Sequence, residues 1–184
     1  MNQTTSKQIR FLAIAPTARG FGYSVMENNA MLECGYKGVR GNKNGKSVFK
    51  IEKLMKQSLP DVVVLQDVYA KGCYRAPRIK ALHRKIVGLA ANHKCKVKLF
   101  SGNQLRDALL GDVKGTKHEM AELLARKYPV ELAGKLPPKR RPWENEDGRM
   151  DMFDAVGLAA IFWMGKKTRN DKIDGVFITL PLTK

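Results

Sequence analysis

The chain has 184 residues, of which 43% are hydrophobic, and this length and composition suit one globular domain with a substantial core. No apolar run approaches the roughly 18 residues of a membrane span, and the three cysteines have neither the spacing of a zinc site nor that of a disulfide framework. Because 34 Lys and Arg face 17 Asp and Glu, the formal net charge is +17, which favours a polyanionic partner such as nucleic acid.

The first part of the chain predicts three antiparallel strands. Residues 9–15 (IRFLAIA) form an apolar run that ends at a Pro-Thr-Ala-Arg-Gly turn, and a second apolar run occupies 20–27. Two asparagines, Asn28 and Asn29, form a turn signal, after which 30–39 resumes as a third strand. Together these segments predict an antiparallel meander.

A helix and a buried strand are predicted next. The segment 41–46 (GNKNGK) is typical of a loop, and Ser47 is a suitable N-cap for a helix over 48–58. That helix ends before Pro60, and residues 62–65 (VVVL) are β-branched and apolar on both faces, as in a central parallel strand. The apolar face of the helix contains Val48, Ile51, Leu54 and Met55.

The middle of the chain predicts a parallel crossover. An amphipathic helix over 78–92 is followed by a strand at 96–100, so the order strand, helix, strand from 62 to 100 makes two strands parallel. The apolar face of this helix contains Ile79, Leu82, Ile86, Leu89 and Ala90.

The last third of the chain predicts helices separated by a polar loop. Thr116 is suited to cap a helix from Lys117 to about Tyr128, with Glu119 at its start. The other predicted segments are a short helix at 104–110, an irregular surface loop at 133–149, an apolar helix at 150–164, a linker at 165–171 and a strand-like tail at 174–182.

These elements indicate an α/β fold in which a three-strand antiparallel meander and parallel strands form a five-stranded mixed sheet flanked by helices. A single domain is expected over 1–184, with its core at about 9–165 and a C-terminal extension at 166–184. The first eight residues lack a secretory core and the cysteines suit reducing conditions, so a cytoplasmic location is expected.

Four segments, in this order, resemble the RuvC-type Holliday-junction resolvases of the ribonuclease H-like fold. They are "IAPTARGFGY", "PDVVVLQDVY", "KLFSGNQLRDALLGDVKGTKHEMAELL" and "DMFDAVGLAAIF", and the resemblance extends over about residues 9–163. It implies a ribonuclease H-like domain that acts on branched or structured DNA, as a homodimer. It also implies an endonuclease site with Mg²⁺ or Mn²⁺ as the cofactor.

The acids in these segments are the candidate catalytic and metal-binding residues. In the family that they resemble, carboxylates from separate elements hold two divalent ions about 4 Å apart. Asp151 and Asp154 are three residues apart and share one helix face, and Asp67 follows the strand of the second segment. Lys117 resembles the family's active-site lysine, which would neutralise charge that develops on a phosphate.

Two positions depart from the family's pattern of acids. Ala15 stands where the family has its first aspartate, and Gln66 aligns with the second acid. Asp67 would face the opposite side of a regular strand unless a bulge or the end of the strand brings it inward. A natural loss and an inactivating Asp→Ala substitution both explain Ala15, and the further departures at Gln66 and at Thr17, where the family has glycine, favour natural loss.

The resemblance also predicts a geometry. Asp151 and Asp154 are expected beside the end of the first strand, facing Ala15, where their repulsion would raise the pKa of one of them. His118 could move protons, although a surface histidine without such a role is commoner. The preceding loop contains further acids that could supply a substitute ligand: Glu144, Glu146 and Asp147.

Two basic segments are candidate nucleic-acid-binding regions, because cations suit phosphates and aromatic rings suit bases. A solvated basic surface is the alternative. Within 71–85 the cations are Arg75, Arg78, Lys80, Arg84 and Lys85, beside Tyr74. Within 133–149 they are Lys135, Lys139, Arg140 and Arg141, beside Trp143.

Three functions remain open. The first is binding of branched or structured DNA by a nuclease fold with a degenerate metal site, and the second is Mg²⁺-dependent endonuclease activity with a substitute ligand. The third is a basic assembly module for an acidic protein partner. The alanine at position 15 favours the first. No membrane partner is expected, because the basic residues are not confined to one amphipathic helix.

Overall fold

The computed structural model describes residues 8–173, with side chains described as far as Lys166. Its centre is a five-stranded sheet with β1 in the middle, between β2 and β4. The strands are β1 (Arg10–Pro16), β2 (Gly20–Glu27), β3 (Ala30–Gly38), β4 (Val62–Gln66) and β5 (Lys96–Phe100). In the order β3-β2-β1-β4-β5, the pairs β3–β2 and β2–β1 are antiparallel, and β1–β4 and β4–β5 are parallel. The predicted meander, parallel crossover and mixed five-stranded α/β sheet are therefore confirmed.

Helices cover both faces of the sheet. They are α1 (Lys43–Ser58), α2 (Pro77–Asn92), α3 (Gly102–Leu110), α4 (Lys117–Lys127), α5 (Pro129–Leu132) and α6 (Arg149–Ile173). Leu12 and Leu65 point to the face covered by α1 and α2. Phe11 and Val64 point to the face covered by α3, α4 and α6. This two-sided burial follows from the period of two along each strand.

Helix α6 is buried nearly all round between Met150 and Phe162. A helix that is apolar on all sides needs neighbours on all sides. The sheet covers one side of α6, while α3 and α4 cover another, where side chains of Leu105 and Leu124 surround Gly157. The predicted apolar helix over 150–164 is thus the central helix of the fold. Its first turn lies at the end of β1 and the start of β2, where Gly22 contacts Asp151.

The start of the first helix was predicted wrongly. Helix α1 begins at Lys43, within the segment 41–46 that was expected to be a loop, and its N-cap is Asn42. The Asn42 side chain accepts a hydrogen bond from the Gly45 N–H at 3.1 Å. Ser47 lies inside the helix and is fully buried. Asparagine caps helices as well as serine does, and the glycine behind it did not prevent helix formation.

The C-terminal part also differs from the prediction. Helix α6 continues through 165–171, which was expected to be a linker, as far as Ile173. The polar residues end the apolar pattern without ending the backbone hydrogen bonding. The predicted strand at 174–182 lies outside the described residues. Residues 136–148, hereafter the basic loop, are irregular as expected, but Pro129–Leu132 and Ala133–Lys135 form short helical turns before it. Within residues 8–173, no helix is long and apolar enough to cross a membrane.

Candidate functional site

Strand β1 ends beneath the first turn of α6. Ala15 is 4% exposed and pairs with Gly22 of β2. A side-chain carbon at Gly22 would lie 1.8 Å from the backbone oxygen of Asp151, so only glycine permits this approach. The glycine of the first segment thereby places the start of α6 beside position 15.

Asp151 is the carboxylate closest to this contact and is 3% exposed. Burial raises its pKa to about 6, the nearby Thr17 hydroxyl opposes the rise, and the charge of Asp154 adds to it. The pKa of Asp151 thus shifts in the predicted direction, with burial rather than repulsion as the main cause. The Asp151 Oδ2 atom has no hydrogen-bond partner among the described residues.

Asp154, one turn further along α6, pairs with the lysine that starts α4. The capping box between Thr116 and Glu119 fixes that helix start, and the Thr116 N–H donates to the Glu119 carboxylate at 2.7 Å. Lys117 Nζ lies 2.8 Å from Asp154 Oδ2 and 3.3 Å from the Glu146 carboxylate. Burial alone would lower the pKa of Lys117, but the two carboxylates outweigh it and raise that pKa. Lys117 is therefore a fixed cation inside the site.

Gln66, the last residue of β4, points to the same face of the sheet as Val64. Its Oε1 accepts a hydrogen bond of 2.5 Å from Arg75 Nη2. These two residues line a pocket of about 60 Å³ together with Arg106, Lys117 and Asp154, hereafter the Lys117 pocket. The family's second acid position is thus occupied by an amide that is bonded to an arginine.

Asp67 lies apart from the other two predicted metal ligands. The pairing of β4 with β5 is regular as far as Gln66, without a bulge, so the next side chain turns to the α2 side. There Asp67 Oδ1 accepts from the Tyr69 N–H at 2.9 Å. Burial lowers the pKa of His83, on α2, and the charge of Asp67 opposes that effect. The structure thus places Asp67 beside His83, which differs from the grouping with Asp151 and Asp154 that was predicted.

The residues present do not fit the two divalent ions that the resemblance implies. Such a centre needs several carboxylates that converge from separate elements. Ala15 offers no oxygen, the Gln66 oxygen is bonded to an arginine, and Asp154 is paired with Lys117. In the part of the chain that is described, no three Asp, Glu, His or Cys residues are grouped so as to hold a metal ion. Among the described residues here, Asp151 Oδ2 is a buried oxygen without a hydrogen-bond partner, as is the neighbouring Thr17 Oγ1.

The cations of the first predicted DNA-binding segment mostly contact other parts of the protein. Arg75 points into the Lys117 pocket. Arg78 donates to the Thr17 carbonyl at 2.7 Å and to Asn44 Oδ1 at 2.8 Å, so it connects the β1–β2 turn to α1. Lys80 lies 5.7 Å from the centre of the Tyr69 ring.

The second predicted segment is exposed. Trp143 is 77% exposed, and the guanidinium carbon of Arg141 lies 5.9 Å from the centre of its ring. Lys139 and Arg140 line an open cleft of about 770 Å³ that also contains Lys117. The cations of the basic loop are therefore continuous with the Lys117 pocket.

The other candidates in and near this loop have partners of their own. Glu144 accepts from the Arg141 N–H at 3.0 Å, and Asp147 pairs with Arg149 at 2.7 Å. His118 lies 3.3 Å from Glu122. Glu146 is the acid of the loop that reaches Lys117.

Sequence reasoning missed two arginines that shape the site. Arg19, in the β1–β2 turn, donates to the Glu146 carbonyl and so holds the basic loop near β1. Arg106 of α3 lines the Lys117 pocket. The order of the elements contained a signal for Arg106. Because α3 follows β5, the neighbour of β4, its first turn lies close to the end of β4.

Comparisons with known proteins give the fold. No family model and no curated protein matches the sequence. RuvC of Thermus thermophilus superposes with a TM-score of 0.62 at 15% identity, over 87% of this chain and 97% of that chain. The yeast mitochondrial Holliday junction resolvase Ydc2 gives 0.58 at 15% identity, over 91% and 85%. The fowlpox virus resolvase in complex with Holliday junction DNA gives 0.57 at 13% identity, over 86% and 99%. The chain therefore has the ribonuclease H-like fold of the RuvC-type resolvases.

Proposed function

From its RuvC-type fold, we propose that this protein binds branched DNA and does not cut it by the two-metal mechanism. Two structures of similar fold are complexes with a Holliday junction, those of Thermus thermophilus RuvC and of the fowlpox virus resolvase. The observation that carries the proposal is the Lys117 pocket. An ammonium is bonded to Asp154 there, and position 15 offers no ligand for a metal ion.

The binding surface extends from this pocket over the basic loop. Lys139 and Arg140 line the cleft next to Lys117, and Trp143 is exposed nearby on the same loop. Cations beside an exposed aromatic ring suit phosphates and an unstacked base, which a branch point provides. The net charge of +17 adds a long-range attraction to any nucleic acid. A homodimer, as the resemblance implies, would place two such surfaces on one junction.

The test compares a four-way junction with a linear duplex of equal length and composition. Fluorescence anisotropy in EDTA measures both affinities, and we expect the junction to bind at least about tenfold more tightly, equivalent to about 1.4 kcal/mol. Gel analysis of end-labelled junctions with Mg²⁺ or Mn²⁺ is expected to show no incision. Equal affinities for junction and duplex would contradict the proposal, and light scattering of the same samples reports the oligomeric state.

Metal-dependent cleavage is the second candidate, and one observation favours it. Glu146 and Asp154 both contact Lys117, and Asp151, one turn before Asp154, has an unpartnered oxygen. Incision of the junction in Mn²⁺ that is abolished by Asp151→Asn would establish this second function instead.

A further inference from the structure

The Lys117 pocket brings three cations to the edge of the sheet where β1 and β4 end. Lys117, Arg75 and Arg106 line it, and Asp154 is its carboxylate. A nuclease pocket of this fold would need the opposite balance, because carboxylates are what hold divalent ions. The excess of cations makes this pocket a site for an anion.

The Lys117 ammonium contacts two carboxylates, as a bound metal ion would, and it is partly exposed. Its ammonium contacts Asp154 at 2.8 Å and Glu146 at 3.3 Å, and 34% of its side chain is exposed. An ammonium has three N–H donors, so one is left beyond these two carboxylates. Because Ala15 has no side-chain oxygen and Gln66 is bonded to Arg75, the Lys117 ammonium is the resident positive charge beside Asp154.

Arg75 supplies a second charge to the pocket. One of its N–H groups is bonded to Gln66, and a guanidinium has four further donors. The pocket has about 60 Å³ of space, and at roughly 10–15 Å³ for each water-sized group it accommodates about four to six such groups. A phosphodiester has four oxygens.

We propose that Lys117 and Arg75 take the place of divalent ions in this pocket and bind one phosphodiester of branched DNA without metal. The proposal rests on the proposed function and deepens it, since it names the ligand group and its partners. No covalent bond forms or breaks. Junction binding is then independent of Mg²⁺ and Mn²⁺, because the positive charge is part of the protein.

The first experiment uses the unaltered protein. Mn²⁺ is titrated into the free protein and followed by electron paramagnetic resonance, and junction affinity is measured in EDTA and in Mn²⁺. We expect no saturable Mn²⁺ site and equal junction affinities. A saturable site, or junction binding that requires Mn²⁺, would overturn the proposal.

The second experiment removes the resident cation. Lys117→Met leaves the carboxylates of Glu146, Asp151 and Asp154 without it, so we expect a Mn²⁺ site to be gained. Junction affinity in EDTA should fall about tenfold or more, as expected for a lost charge-assisted hydrogen bond, and should recover in part with Mn²⁺. Lys117→Arg keeps the charge and is expected to remove the Mn²⁺ site again. Lys114→Met removes an exposed lysine nearby and controls for net charge.

Unpaired buried carboxylates could prevent folding of Lys117→Met, so a paired variant completes the test. Lys117→Met/Asp154→Asn removes both charges, and we expect a folded protein with no Mn²⁺ site and weak junction binding in EDTA. Affinity equal to that of Lys114→Met in either variant would overturn the proposal. Failure of the proposed function is distinguishable, because the unaltered protein would then bind junction and duplex equally.

Discussion

At the scale of single residues, the buried carboxyl of Asp151 connects the site to stability. Burial raises its pKa from 3.8 to about 6, so the folded protein keeps this proton at a pH where the unfolded chain has released it. The contribution therefore favours folding below about pH 4 and is lost as the pH rises to about 6. At neutral pH the ionised, buried group destabilises the fold.

Asp151→Asn is expected to stabilise the protein at neutral pH. The amide has nearly the same shape and carries no charge, and one pKa unit corresponds to about 1.4 kcal/mol. The shift from 3.8 to about 6 therefore limits the gain in unfolding free energy to about 3 kcal/mol at pH 7.5, with little gain at pH 4. Urea denaturation at the two pH values measures it.

The matched control is Asp107→Asn, which removes an exposed carboxylate from α3. It should change the stability by similar small amounts at both pH values. A gain for Asp151→Asn that is equal at pH 4 and pH 7.5 would show that its carboxyl is not held protonated by burial.

Ala15→Asp tests whether position 15 faces the acids. The new carboxylate would lie in a site that is 4% exposed, beside the first turn of α6. We expect a lower melting temperature in EDTA, tighter Mn²⁺ binding than in the unaltered protein, and partial recovery of stability with Mn²⁺. Ala18→Asp adds the same charge in the exposed turn and should do none of this. Equal Mn²⁺ affinity of the two variants would show that position 15 does not face Asp151.

Single residues also show how far the sequence could predict the site. The side on which Gln66 and Asp67 face follows from the period of two, because a regular strand leaves no choice. The pairing of Lys117 with Asp154 spans 37 residues and depends on how two helices pack, so no local pattern contains it. The sequence therefore predicts which side of the sheet Gln66 and Asp67 face, but it does not predict that Lys117 pairs with Asp154.

At the scale of elements, the contact between α6 and β2 positions both aspartates. Gly22→Ala would place a methyl group 1.8 Å from the Asp151 oxygen, so the first turn of α6 must move. We expect a loss of at least about 1–3 kcal/mol in unfolding free energy, as for overpacked cores, and a loss of junction binding. Urea denaturation and anisotropy measure the two effects.

Gly88→Ala is the matched control for that substitution. Nothing lies within 4 Å of a side-chain carbon at Gly88, which is inside α2. Alanine there should stabilise the protein by up to about 1 kcal/mol, because it favours the helix. A harmless Gly22→Ala would contradict the close approach of α6 to β2.

The elements that were predicted correctly carry strong periodicity or complete caps. The strands of the meander alternate or are wholly apolar, and Thr116 with Glu119 forms the capping box that its spacing indicates. The start of α1 was missed because Asn42 and Ser47 are both good caps, and packing of the helix decides between them. The end of α6 was missed because its polar extension has no period.

At the scale of the whole molecule, the net charge of +17 overstates the charge that DNA can reach. Arg78 connects a turn to a helix, while Lys139 and Arg140 remain at an open cleft. Binding should thus depend more on the basic loop and the Lys117 pocket than on cations elsewhere.

Arg140→Ala/Arg141→Ala is expected to weaken junction binding and to flatten its salt dependence. Each phosphate contact contributes roughly 0.9 to the slope of log affinity against log salt, so two lost contacts reduce it by up to about 1.8. Lys53→Ala/Lys56→Ala removes the same charge from α1 and should leave the slope nearly unchanged. Equal slopes for the two double variants would mean that the basic loop is only solvated.

The pair formed by Lys117 and Asp154 also bears on how this site can change over generations. Every alanine codon becomes an aspartate or a glutamate codon by one nucleotide change, so an acid at position 15 is a single mutation away. That acid would enter a buried place where a lysine already compensates the neighbouring carboxylate, and the protein would lose stability before it gained a metal centre. An acid regained at position 15 would therefore destabilise the fold whenever no ion is bound. The pair of Lys117 and Asp154 therefore disfavours the return of an acid at position 15.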